Sequence, residues 1–237
     1  MTRTLLAFET SCPYLSVALG TREGKIKELR SKAPLKHSEN FISLMDRLLR
    51  TEKIPLEKID AFAVDRGPGS FTGLRIGLSF LQGFMAVKKK PCYGALSLDM
   101  ISAGIPPQEN SRLGVLVDAR RETLYSRFYL YQKGKWRAEG KLEILSLGAL
   151  KSRIREGTIL TGDALMRYRH PLEEAFEKKV RFLPAQFWYP SAATLVKRFQ
   201  AGDTGLEPLK TPRDFLPLYL RASEAEERRR TLVTHGA

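Results

Sequence analysis

Metal-ligating side chains are scarce in this sequence. Its 237 residues hold three histidines, His37, His170 and His235, and two cysteines, Cys12 and Cys92. No two histidines lie within one helical turn, and neither cysteine has a Cys or His neighbour at ligand spacing. A protein metal site needs three or more converging ligands, so no metal and no cofactor is expected. The same scarcity argues against a peptidase: a serine nucleophile needs an adjacent base, and a metal mechanism needs its ligands. Two thiols in so long a chain fit a reducing compartment, and both read as small buried side chains. Long apolar runs are missing too; none approaches the roughly 20 residues of a membrane-spanning helix. The opening, Met1-Thr2-Arg3-Thr4-Leu5-Leu6-Ala7, enters a strand pattern broken by Glu9, unlike a signal peptide. A cytoplasmic protein without membrane contact is expected. RNA-recognition motifs are also lacking, and aromatics are not interleaved with the basic residues.

Positive charge is plentiful. The net charge is +14, and residues 112–182 carry 16 basic against 9 acidic side chains, half of the surplus. Such a field attracts anionic partners, RNA included. Composition alone leaves contact of this middle segment with RNA open. With 43% hydrophobic and 28% charged residues the chain reads as an ordinary globular protein.

The most informative stretch is Arg66-Gly67-Pro68-Gly69-Ser70-Phe71-Thr72-Gly73-Leu74-Arg75-Ile76-Gly77. It follows a strand-like run at 59–64 and opens a helix-like run that ends at Val87. Gly67 and Gly69 permit torsions closed to other residues, Pro68 fixes one, and Ser70 or Thr72 can cap the helix. It is neither a Walker A loop nor a dinucleotide fingerprint. Two readings stand: an anion cradle of free N–H groups, or a tight turn with a cap. In the helix behind it, Gly73 and Gly77 stand four apart on one face, where another backbone can come close. Leu74, Ile76, Leu78, Phe80, Leu81, Phe84, Met85 and Val87 surround most of the rod, leaving only Arg75, Ser79 and Gln82 as a polar stripe. A rod so apolar is buried on more than one side. One side takes the chain's own sheet, and the expectation for the other is a second polypeptide. On that reading, Leu at position 73 or 77 abolishes pairing with little loss of fold.

Periodicity predicts strands at 4–9, 14–19 and 25–30, a helix at 38–51, the strand at 59–64, the helix at 72–87, a strand near 91–93 and a helix at 97–103. A turn-rich boundary at 104–110 follows. The order then repeats: strands at 113–117, 124–131 and 136–145, a helix at 147–155, a strand at 158–161, helices at 164–177 and 191–199, and a strand at 180–183 between them. Residues 217–221 read as an extended piece and 224–230 as a charged, fraying helix. The expected class is α/β, a duplicated βββαβα unit of actin-like (ASKHA) type in two subdomains. The expected divisions are 1–104, 105–216, and a tail at 217–237 packing back on the first subdomain.

The glycine loop from Gly67 to Gly77, His37-Ser38-Glu39 upstream, Asp118-Ala119-Arg120-Arg121, and Tyr219-Leu220-Arg221 together resemble the bacterial TsaB (YeaZ) family, in order and spacing from about residue 4 to 226. The resemblance implies an actin-like fold. It implies a non-catalytic subunit required for threonylcarbamoyl transfer to N6 of adenosine 37 in tRNAs reading codons that begin with A. It further implies pairing with a catalytic paralogue, TsaD, joined by an ATPase, TsaE, and a homodimer in their absence. The pairing surface would use the helices at 38–51 and 72–87: His37, Phe41, Met45, Ser70, Phe71, Thr72, Gly73, Leu74, Arg75, Gly77, Phe80, Leu81 and Phe84. Glu9, Thr10, Ser11 and Asp118 would mark a remnant nucleotide cleft. Glu9 stands where most members carry Asp, and the His-x-x-x-His pair of the paralogue is missing. The alternative is an autonomous actin-like ATPase or kinase with Glu9 and Asp118 as its acidic groups. Against it, Cys12-Pro13-Tyr14 is bulky where backbone should approach phosphate.

Overall fold

The computed structural model describes residues 3–32, 37–203 and 205–218. Three antiparallel strands open the chain, β1 (Leu5–Glu9), β2 (Tyr14–Gly20) and β3 (Ile26–Lys32). Helix α1 (His37–Thr51) leads to β4 (Ala61–Asp65), α2 (Phe71–Val87), β5 (Cys92–Ala95) and α3 (Ser97–Ala103). The second series is β6 (Arg112–Asp118), β7 (Thr123–Gln132), β8 (Lys135–Ser146), α4 (Leu147–Leu150), β9 (Thr158–Thr161), α5 (Leu165–Phe176) and β10 (Val180–Phe182). Helix α6 (Ala192–Gln200) and a two-residue strand, β11 (Glu207–Pro208), complete it.

The two sheets repeat one topology. The first runs β11-β5-β4-β1-β2-β3, the second β10-β9-β6-β7-β8. In each, a three-stranded meander is extended by two parallel strands on the far side of its first strand. The fold is therefore the duplicated, actin-like α/β arrangement.

Side-chain size decides what covers each face of the first sheet. Leu6, Phe8, Val17, Leu19, Phe62 and Val64 face one way and pack against Phe41, Leu44, Met45 and Leu48 of α1 and Leu74, Leu78 and Leu81 of α2. The opposite face is lined by Leu5 and the alanines 7, 18, 61, 63 and 95, and it takes Ala192, Leu195 and Val196 of α6. Alanine lets a helix sit close to a sheet without leaving voids. Helix α3 lies instead against the second sheet, with Leu98 and Ile101 on Leu113, Val115 and Ile159, and it also meets α6.

The expected division at 104/105 separates the strands of the two sheets except for β11, and it does not separate the two packing units. Residues 192–200 and 207–208 fall in the second half of the sequence and pack on the first sheet. The expected helix at 147–155 stops at Leu150 and continues as turns. Ser152 Oγ donates to the carbonyl of Ala149, the kind of local bond that competes with helix. Of the tail, the Leu218 N–H donates to the carbonyl of Arg66, tying the chain back to the glycine loop. The extended piece and charged helix expected at 217–221 and 224–230 otherwise lie outside the described residues. No described helix is long and apolar enough to cross a membrane.

Candidate functional site

The glycine loop joins β4 to α2 and lies on the turn between β1 and β2. Several of its N–H groups are consumed within the chain. The Gly67 N–H donates to Asp65 Oδ1 at 2.7 Å, Ser70 N–H to the Ser11 carbonyl at 2.6 Å, and Gly73 N–H to Ser70 Oγ at 3.2 Å. Ser70 is thus the cap, and Gly67–Pro68 is a cis peptide. Of the two readings, these bonds favour the tight turn with a cap: those donors hold the loop to its own domain. Asp65 Oδ1 also accepts from Ser97 Oγ at 2.8 Å, and Ser97 N–H donates to the Gly67 carbonyl. One carboxylate therefore fastens the loop to the start of α3.

The glycine face of α2 is closed. A Cβ on Gly73 would fall inside the van der Waals sphere of the Thr10 carbonyl oxygen, and one on Gly77 would lie 3.0 Å from Thr10 Oγ1 and 3.2 Å from Val64 Cγ2. The backbone that comes close here is the chain's own β1–β2 turn. The expectation that Gly73 and Gly77 notch a partner contact is corrected, and with it the prediction that bulk there spares the fold. Phe41, Met45, Leu74 and Leu81 are buried as well. Phe8, Phe41, Phe62, Phe80 and Phe84 form a chain of ring contacts with centroids 4.7 to 6.3 Å apart.

A different strip of α2 stays open: Thr72, Arg75, Ser79, Gln82, Gly83 and Ala86 are exposed, bordered by half-buried Ile76, Phe80 and Phe84. These positions share one side of the helix at spacings of three and four. No described residue lies within 4 Å of a Cβ built on Gly83. Phe71, at the end of the strip, is 38% exposed under the Arg75 guanidinium, 3.9 Å from its ring centre. Ile42 of α1 is 57% exposed. Ser70 is exposed too, whereas the side chain of His37 lies outside the described residues. Of the residues expected at an interface, the structure therefore brings Ser70, Phe71, Thr72, Arg75, Phe80 and Phe84 to the surface in whole or part.

The expected remnant cleft has folded in upon itself. Glu9 is fully buried and turned back on its own hairpin, accepting from the Ser11 N–H, from Ser11 Oγ at 2.7 Å and from Cys12 Sγ at 3.3 Å. Thr10 and Ser11 are buried beside it. Burial, with the Asp65 charge adding, pushes the Glu9 carboxyl up to about 8, and burial pushes Asp65 up to about 6. Tyr14 of the same hairpin meets the Tyr189 ring at 5.0 Å, with the Arg30 guanidinium 4.6 Å from the Tyr14 ring centre. The Tyr189 hydroxyl is pushed up to about 12 by burial, then by Asp163, Tyr14 and Cys12. Asp118 sits at the end of β6. Its N–H donates to Asp163 Oδ1 at 3.0 Å, and its Oδ1 accepts from the Arg120 N–H at 2.8 Å. Burial raises Asp163 to about 6, opposed by the bond from the Asp118 N–H and helped less by the Asp118 charge. Asp65, Asp163 and Tyr189 were not singled out from sequence, because each acquires its role only through contacts distant along the chain. Among the described residues no cluster of three or more His, Cys, Asp or Glu side chains can hold a metal.

These shifts carry a pH dependence. An acid whose folded pKa lies above its unfolded value keeps its proton longer in the native state, so stability falls as pH rises between the two values. For Glu9 that window runs from 4.5 to about 8. Chemical denaturation across it should show a decline on the order of a few kcal/mol. Glu9→Gln, which keeps an acceptor for Ser11, should flatten much of that slope. An unchanged slope in the variant would place the titration elsewhere.

Comparison with known proteins agrees with the topology and the loop. The family model for TsaD, described as tRNA N6-adenosine threonylcarbamoyltransferase, matches residues 31–147. The tRNA threonylcarbamoyladenosine biosynthesis protein TsaB of Escherichia coli K12 is 28% identical over 154 residues, covering 64% of this chain and 66% of that protein. The protein of the same name from Haemophilus influenzae Rd is 32% identical over 123 residues, with 52% of each chain covered. The matched region thus spans just under two thirds and about half the length of these two relatives. The solved structure of YeaZ from Pseudomonas aeruginosa superposes with a TM-score of 0.73 at 25% identity, over 92% of this chain and 100% of that one. The doubled meander, the glycine loop packed on the first hairpin and these likenesses together support the TsaB (YeaZ) family as the one this chain resembles.

Proposed function

We propose that this chain is a non-catalytic scaffold in the modification of tRNA, required for threonylcarbamoyl transfer to N6 of adenosine 37 in tRNAs that read codons beginning with A. It acts by pairing with a TsaD-like catalytic paralogue, joined by a TsaE-like ATPase. The observation that carries the reading is the first hairpin. An actin-like phosphotransferase needs an acidic group there facing a metal-bound water, with free backbone donors for phosphate. Here Glu9 is buried, which favours its protonated form, and it accepts from its own hairpin, while Tyr14 and Tyr189 meet ring to ring beside it. That arrangement disfavours the alternative, an autonomous actin-like ATPase or kinase. The exposed strip of α2, with its short side chains and apolar border, is the surface offered to the paralogue. Short side chains let a second helix approach closely, and Ile76, Phe80 and Phe84 supply the apolar area. In the partner's absence the same strip supports a homodimer.

Reconstitution tests this. The purified chain mixed with a TsaD-type paralogue should elute as a heterodimer. Modified adenosine should form only when this chain, the paralogue, the ATPase and the threonylcarbamoyl adenylate substrate are all present. ATP turnover by the isolated chain, abolished by Glu9→Gln, would overturn the proposal.

A further inference from the structure

Away from α1 and α2 lies a cleft where the two packing units meet. It is walled by α3, the β7–β8 hairpin, and the end of α6 with the turn after it, and its volume is about 640 Å³. At its floor Asp99 Oδ1 accepts from Arg127 Nη1 at 2.8 Å and from the Tyr129 hydroxyl at 2.6 Å. Arg198 Nε donates to Asp203 Oδ2 at 2.7 Å, and its Nη2 lies 4.0 Å from Asp99 Oδ2. Asp203 Oδ1 accepts from the Gly205 N–H at 2.8 Å. Both carboxylates are thus occupied.

The donors exceed the acceptors. Arg198 is only 8% exposed, yet among the described residues its Nη1 has no partner, and neither has Arg127 Nε. A buried charged donor without an acceptor is costly. Four further cations, Lys133, Lys135, Arg137 and Lys197, line the cleft, making six against two carboxylates. The field acts on what is there. Burial would raise the Asp203 carboxyl, but the Gly205 N–H, Arg198 and Lys135 outweigh it and hold it below the usual carboxylate range. One wall is of another kind. Ile105, Pro107, Tyr131 and Trp136 present apolar surface, with the two rings edge to face at 5.1 Å.

We propose that this cleft binds a nucleotide, its phosphate against Arg198, Lys135 and Lys197 and its base against Trp136. An anion supplies the acceptor that Arg198 lacks, and guanidinium with ammonium groups is the chemistry that holds phosphate. The volume suits a mononucleotide, since ligand sites run from about 300 to 1,000 Å³. The nucleotide comes either free or as an unstacked residue of RNA.

Trp136 and Trp188 are the two tryptophans of the chain, so Trp188→Phe leaves one reporter in the cleft. Titration with AMP and with inorganic pyrophosphate should change its fluorescence saturably. The exposed rim pair changed together, Lys135→Glu with Lys197→Glu, should weaken AMP by at least about tenfold with an unchanged melting temperature. Unmodified tRNA that displaces AMP identifies an RNA-borne nucleotide; tRNA without effect identifies a free one. Both outcomes support the site. Absence of a saturable response to both AMP and pyrophosphate overturns the proposal, as does unaltered AMP affinity in the rim variant. The cleft contains no residue of α1 or α2, so a failure here is distinguishable from a failure of pairing in the reconstitution.

Discussion

Gly73→Ala should cost the fold at least about 3 kcal/mol. The added methyl group meets the Thr10 carbonyl oxygen, and neither side can retreat easily. Thr10 is held in the turn that Glu9 and Ser11 close, and the Ser11 carbonyl is tied to the Ser70 N–H. For a chain of this size the loss should lower the melting temperature by roughly 6–12 °C. Gly83→Ala, in the same helix, is the control. Its Cβ enters open space, and alanine should stabilise the helix by about 0.5–1 kcal/mol. If Gly73→Ala melts like the parent and fails only in pairing, then the glycine face belongs to a partner after all.

The second large effect concerns association. Gly83→Leu should leave the melting temperature near that of the parent, because leucine is a good helix former and no described residue stands in its way. Pairing with the catalytic paralogue should weaken about 100-fold or more, close to 2.7 kcal/mol. The branched side chain would stand where the two helix backbones approach. Sedimentation velocity of the mixed proteins measures this directly. A heterodimer of undiminished affinity would move the contact off this strip, and the exposed Ile42 of α1 would be the next position to probe.

How far the sequence could be read follows from the range of the contacts concerned. Both meanders and the main helices were legible because their signals are local: a short apolar run in β1, alternation in β7, apolar spacing in α1, a serine cap before α2. The resemblance rested on the glycine loop, and the loop was found in its expected place between β4 and α2. What meets Gly73 was not legible. Spacing of four places two glycines on one face, but a sequence does not say whose backbone fills the gap. The polar stripe of Arg75, Ser79 and Gln82 was the better guide to the open side of α2. It had been read as an interruption of an apolar rod. Asp99, Asp163 and Tyr189 were passed over because nothing near them in sequence announces their partners, Arg127, Asp118 and Tyr14. β11 escaped for a different reason: two residues ending in Pro208 carry no strand pattern, and proline is tolerated there because the strand is an edge.

The alanine-lined side of the first sheet has a consequence for synthesis on the ribosome. Its cover, α6, is encoded about 90 residues after α3. At translation rates of about 5–20 residues per second this leaves the sheet half clothed for roughly 5–20 s. During that interval the nascent chain presents small, flat, hydrophobic strands to everything around it. An amino-terminal fragment released early should therefore be a client of holding chaperones rather than a small folded protein.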